Sequence, residues 1–98
     1  MKLLPTETRL RGKWLSRDGC VVADDVCARI EELTRLHLRE LGRDASGWDA
    51  LFVDPDDGRF WELIYPESGL HGGGAPELRN LSAAQAKVKY GGIVSDEN

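Results

Sequence analysis

Two different periodicities divide the chain. Residues 10–15 and 20–23 are short apolar-rich runs separated by Arg17-Asp18-Gly19. Asp-Gly is the favoured filling of a two-residue turn with positive φ at both centres, so these runs predict a first β-hairpin with Leu15 beside Val22. At Asp24 the spacing changes to that of a helix. Val26, Ile30, Leu33, His37 and Leu41 recur at steps of four and three and share one stripe, flanked by Cys27 and Leu38. Asp24 is a suitable N-cap and Gly42 a suitable C-terminal stop, which predicts one helix over residues 24–41. Glu31 and Arg35 would then make an i,i+4 pair on its outer side.

The clearest local pattern follows. Residues 48–54 and 59–65 alternate in β fashion around Pro55-Asp56-Asp57-Gly58, in which Pro55 presets φ and Gly58 supplies a left-handed residue. Pairing Asp54 with Arg59 sets the register: Phe52 with Trp61, Ala50 with Leu63 and Trp48 with Tyr65 on one face; Val53 with Phe60, Leu51 with Glu62 and Asp49 with Ile64 on the other. The aromatic face is expected in the core, together with Trp14, Ile30 and Leu33. The mixed face has the character of a half-covered or partner-facing surface. Residues 67–76 read as a loop that packing alone does not order. Residues 77–81 have the composition of a fifth strand, and Ser82-Ala-Ala-Gln85 is a capping box opening a short helix to Tyr90, stopped by Gly91.

The expected fold is therefore α+β: a small, mostly antiparallel sheet from two β-hairpins and a possible fifth strand, packed against one main α-helix, plus a short C-terminal helix. A chain of 98 residues has material for one core, and with no repeat in evidence the expectation is a single domain over residues 1–98, ordered over about 8–91 with a flexible tail at 92–98.

Composition narrows the function. With 41% apolar and 31% charged residues the chain is too apolar to be disordered, and no segment approaches the roughly 20 apolar residues of a membrane span. Pro5 and its polar neighbours interrupt any signal-peptide apolar region, so a cytoplasmic location is expected. Cys20 and Cys27 have no second pair to build a disulfide framework and are read as reduced and packed. A net charge of -4 argues against nucleic-acid binding. Its distribution says more: residues 49–67 hold six acids (Asp49, Asp54, Asp56, Asp57, Glu62, Glu67) against Arg59 alone, an anionic face suited to a cationic partner.

Candidate chemistry is sparse. His71-Gly72-Gly73-Gly74 matches an esterase oxyanion motif superficially, but no Gly-x-Ser-x-Gly accompanies it, and no Gly-Lys-Ser/Thr follows for phosphate. Asp54, Asp56 and Asp57 suggest calcium, yet Gly58 falls at loop position five and Tyr65 at twelve, where an EF-hand needs Gly at six and Glu at twelve. Cys20, Cys27, His37 and His71 lack the close pairs of a zinc site. His37, within the apolar stripe, reads as a hydrogen-bonded core histidine. No nucleophile, base and orienting group stand out, so neither catalysis, metal nor cofactor is expected. The alternatives are a small-ligand or regulatory domain in which His71 and the glycine loop clasp an anion, and a small hydrolase using His71 with Glu62.

Gly12-x-Trp14, Cys27-x-Arg29-Ile30-Glu31, Gly47-Trp48, Asp54-Pro55-x-Asp57-Gly58-Arg59-x-Trp61-Glu62-x-x-Tyr65-Pro66 and His71-Gly72-Gly73-Gly74-x-Pro76-x-Leu78 together resemble the immunity protein 27 family of bacterial polymorphic toxin systems. The resemblance spans about residues 8–91. It implies a small protein that binds and neutralises a cognate toxin domain; the charge and the lack of a long apolar segment leave no nucleic acid or membrane expected as partner. On the residue reading, the expected toxin contacts are Asp54, Asp56, Asp57, Glu62, Glu67, His71, Gly72 and Gly73, facing a basic toxin surface.

Overall fold

A computed structural model describes residues 3–66 and 74–95. Glu67, His71, Gly72 and Gly73, and the rest of residues 67–73, lie outside the described residues. The elements in chain order are β1 (Arg9–Arg11), β2 (Trp14–Arg17), β3 (Cys20–Ala23), α1 (Asp25–Glu32) continued by a π-helical turn (Leu33–His37), β4 (Arg39–Arg43), β5 (Ala50–Val53), β6 (Phe60–Ile64), β7 (Glu77–Leu81), α2 (Ala83–Tyr90) and α3 (Gly92–Ser95). Five strands form one antiparallel sheet in the order β1-β7-β6-β5-β4, and β2 pairs with β3 as a separate ribbon. The α+β class expected from the pattern is the one observed.

The β5–β6 register is the expected one, with Ala50 opposite Leu63, Leu51 opposite Glu62, Phe52 opposite Trp61 and Val53 opposite Phe60. Leu15 pairs with Val22 across the Asp18-Gly19 turn, whose two centres have φ of 52° and 79°. Asp24 caps α1, its carboxylate accepting from the Cys27 amide at 2.8 Å. The capping box of α2 is also present, Ser82 and Gln85 each bonding the other's backbone N–H.

Four expectations change. The run 10–15 is not one strand: β1 joins the main sheet beside β7, and β2 turns away to pair with β3. The break falls at Gly12, whose amide donates to the Pro76 carbonyl at 2.9 Å and where a Cβ would lie 2.4 Å from the Cys27 sulfur. The helix does not reach Leu41. Thr34 turns its hydroxyl back onto the Ile30 and Glu31 carbonyls, the turn widens to π geometry, and the Leu38 amide closes it onto the Leu33 carbonyl at 2.7 Å. Residues 39–43 then serve as an edge strand, with Gly42 opposite Leu51 across a bulge and pressed against Ile93 instead of capping a helix. Trp14 and Trp48 are not core: they are 45% and 68% exposed. The chain also continues past Gly91 as the helical turn α3, whose Ile93 packs on the second core cluster.

Apolar residues fill both faces of the sheet. On one face Phe52, Trp61, Ala50 and Leu78 meet Ile30, Leu33 and Leu38, with Leu3 and Leu10 closing the end and Leu63 partly buried beside them. On the other, Leu51 and Leu81 meet Ala86 and Tyr90 of α2. The mixed face of the hairpin is thus covered from within the chain. Trp61 is fully buried in the first cluster, and its indole N–H has no partner among the described atoms. Trp61→Ala is expected to cost about 3–5 kcal/mol in chemical denaturation, the range for deleting a large core ring. A loss below about 1 kcal/mol would contradict this packing.

Candidate functional site

The acidic stretch between β5 and β6 is a rigid turn, braced from behind. The Gly58 amide donates to the Asp54 carbonyl at 2.7 Å, the Asp54 amide to the Arg59 carbonyl at 2.9 Å, and Gly58 takes the left-handed φ of 77° that its position requires. The Asp54 carboxylate accepts from the Asp56 amide at 2.8 Å. Asp57 accepts from both the amide and Nε of Arg59, at 2.9 and 2.7 Å. The rest of the Arg59 guanidinium donates to the Glu7 and Leu4 carbonyls and lies over the Trp61 ring at 4.9 Å. Glu7 in turn receives both terminal nitrogens of Arg29, at 2.6 and 2.7 Å. The turn is therefore fastened through Arg59 to the N-terminal segment, and through Glu7 to α1.

His37 arrives at the same turn from the end of the π-helical segment. Its Nε2 is 3.2 Å from an Asp54 oxygen and 3.6 Å from an Asp56 oxygen. The hydrogen-bonded histidine expected on the apolar stripe thus has Asp54 as its partner, and it joins Asp54 and Asp56, which the sequence pattern set apart from it, in one cluster. No sequence signal pointed to it, since the helical spacing runs on past His37 to Leu41.

Glu62 does not belong to this exposed group. It is fully buried under α2, accepting from Arg79 Nε at 2.8 Å and Tyr90 Oη at 2.7 Å and paired with Lys89, which also reaches Asp49. Burial pushes its carboxyl towards the neutral form, but the hydrogen bonds from Lys89, Tyr90 and Arg79 outweigh this and hold its pKa below the ordinary value. Burial, and then Glu62 itself, push the Tyr90 hydroxyl far up, so Tyr90 remains a donor. Of the described residues expected to touch a partner, Asp54 and Glu62 are buried and engaged within the chain, while Asp56 and Asp57 are exposed at the turn. Trp14, expected in the core, instead lines an apolar cleft of about 310 Å³ with Ile30, Leu63, Tyr65 and Pro76, beside the free, buried thiol of Cys27.

The immunity protein 27 family model matches residues 16–82, about two-thirds of the chain. The chain belongs to the immunity protein 27 family. An immunity function follows from that membership. No curated protein and no solved structure matches the chain. The span matched to immunity protein 27 runs from the β2–β3 ribbon to the Ser82 cap and includes α1, His37 and the acidic turn. Tyr90 and Lys89, which complete the Glu62 network, lie beyond it. Among the described residues no helix is long and apolar enough to cross a membrane.

The tether behind the turn carries a pH signature. The Arg29 guanidinium, acting against burial, lowers the Glu7 pKa from 4.5 to about 2. The unfolded chain therefore takes up this proton first as pH falls. The Glu7 contribution is complete above about pH 4.5 and disappears as pH approaches about 2. In urea denaturation, Glu7→Gln should be less stable than the parent chain at neutral pH, and the gap should close between pH 4.5 and 2. A gap that stays constant through that window would contradict the ion pair.

Proposed function

We propose that this chain binds and neutralises a cognate bacterial toxin domain, protecting the cell that makes both and its kin. The family match over residues 16–82 carries this reading. The reading assigns the protein no catalysis: inhibition comes from occupying the toxin. The contact is proposed at the acidic turn, with Asp56 and Asp57 outward, Asp54 shaping the turn from below, and Glu67, His71, Gly72 and Gly73 supplying further contacts. Glu62 supports this surface through the sheet and does not touch the partner.

Two features support the placement. Residues 49–67 carry six acids against one arginine, which suits a basic toxin surface. The turn is also fixed in the free protein by Arg59, so docking onto it orders little additional chain. Charge on such a face acts mainly on the rate of encounter. In stopped-flow binding to the toxin domain encoded beside it, Asp56→Lys and Asp57→Lys should each slow association by about tenfold and flatten its dependence on salt. Unchanged rates and salt slopes in both, with circular dichroism confirming that they fold, would move the interface elsewhere.

A further inference from the structure

We propose that His37, Asp54 and Asp56 form a binding site for one divalent transition cation of the zinc class. Three acids are buried among the described residues: Asp54, Glu62 and Glu77. Glu62 is paired with Arg79 and Lys89, and Glu77 with Arg9 and Arg11. Asp54, whose side chain is 2% exposed, pairs with no lysine or arginine among the described residues; it meets the His37 ring and the Asp56 amide. Burying a carboxylate is costly unless a positive charge compensates it, and beside Asp54 stand an imidazole and a second carboxylate, whose added negative charge raises that cost.

The spacing suits a metal ion. One ligand atom from each of the three residues lies within 4.8 Å of the others, and the imidazole nitrogen is 3.2 and 3.6 Å from the two carboxylate oxygens. A tetrahedral zinc with bonds of about 2.0–2.2 Å sets its donors roughly 3.3–3.5 Å apart. One nitrogen with two carboxylates favours zinc or a similar ion over calcium or magnesium, which prefer all-oxygen shells. Three protein ligands leave a fourth position for water or for a donor from outside the chain. Asp56, half exposed, provides the entry path. The Asp56 amide already holds the Asp54 carboxylate in place before any ion arrives. Neighbouring Asp57 is committed to Arg59 and takes no part.

The proposal is independent of the toxin reading, because its test needs only the isolated protein. Untagged full-length chain, stripped with chelator and desalted, is titrated with zinc alone by calorimetry and followed by thermal unfolding and by NMR of the histidine rings. The expected result is one zinc per chain, a shift of the His37 resonances, and a Tm rise on the order of 10 °C once zinc exceeds its Kd about a hundredfold. Asp56→Asn and His37→Gln should each weaken binding by at least about tenfold, while Asp57→Asn and His71→Gln keep it. Asp56 is exposed, so its variant tests the site without disturbing the core. Absence of binding, binding retained in both ligand variants, or equal loss in Asp57→Asn would overturn the site; the second outcome would move zinc to donors such as the cysteines or His71.

Discussion

Glu62 is a carboxylate with no exposure at the centre of a five-stranded sheet, and the arrangement around it follows from the need to satisfy that charge. Arg79 reaches it from the adjacent strand, and Lys89 and Tyr90 from α2, so the register of β6 against β7 and the docking of α2 on the sheet are tied to one group. Such a network is not worth much more than a well-packed apolar core would be, but removing one partner leaves a buried charge uncompensated. Its effect is on specificity of arrangement: α2 has one seat on the sheet in which its lysine and tyrosine both find Glu62. The capping box at Ser82 starts the helix in register for that seat, and Ala86 and Tyr90 provide its apolar contact with Leu51 and Leu81.

That internal commitment sorts the acids of the chain. Glu7, Asp49, Glu62 and Glu77 are taken up by Arg29, Lys89, Arg79 and Arg9, each joining elements distant in sequence. Among the described residues of the acid-rich stretch, what faces outward is the turn at Asp56 and Asp57, and Asp57 is angled by Arg59. The negative excess is therefore presented by a short, stiff structure instead of a diffuse face, and one guanidinium connects that structure to the N-terminal segment and to the Trp61 ring. Orientation and charge are both set before a partner arrives, which is the condition for fast and selective encounter.

Much of this was legible in the residue order wherever a local rule had no competitor. Pro55 and Gly58 fix the turn, so the pairing of Phe52 with Trp61 follows; Asp18-Gly19 and the Ser82–Gln85 box are equally self-contained. Reading failed where two periods fit the same residues. Leu33, His37 and Leu41 continue a helical stripe, yet Leu38 and the residues after it also make an edge strand, and the sheet's need for a fifth member decided between them. It failed again at Gly12, whose close approach to both Pro76 and Cys27 divides one apolar run between two sheets, and at Trp14 and Trp48, whose size suggested core although both are exposed. The mixed face of the hairpin looked partner-facing because its cover, α2, lies some twenty residues further along. The His37 cluster was invisible for a related reason: its members belong to a helix stripe and a turn that only the tertiary fold brings together.

If the acidic turn is the surface that meets the toxin domain, its backbone should record the contact directly. Hydrogen exchange by mass spectrometry, on the chain alone and saturated with the proposed toxin domain, measures this without altering a residue. The account predicts added protection across residues 54–59, with little change in the β2–β3 ribbon at 14–23. Protection confined to that ribbon or to α2, with exchange at the turn unchanged, would contradict it.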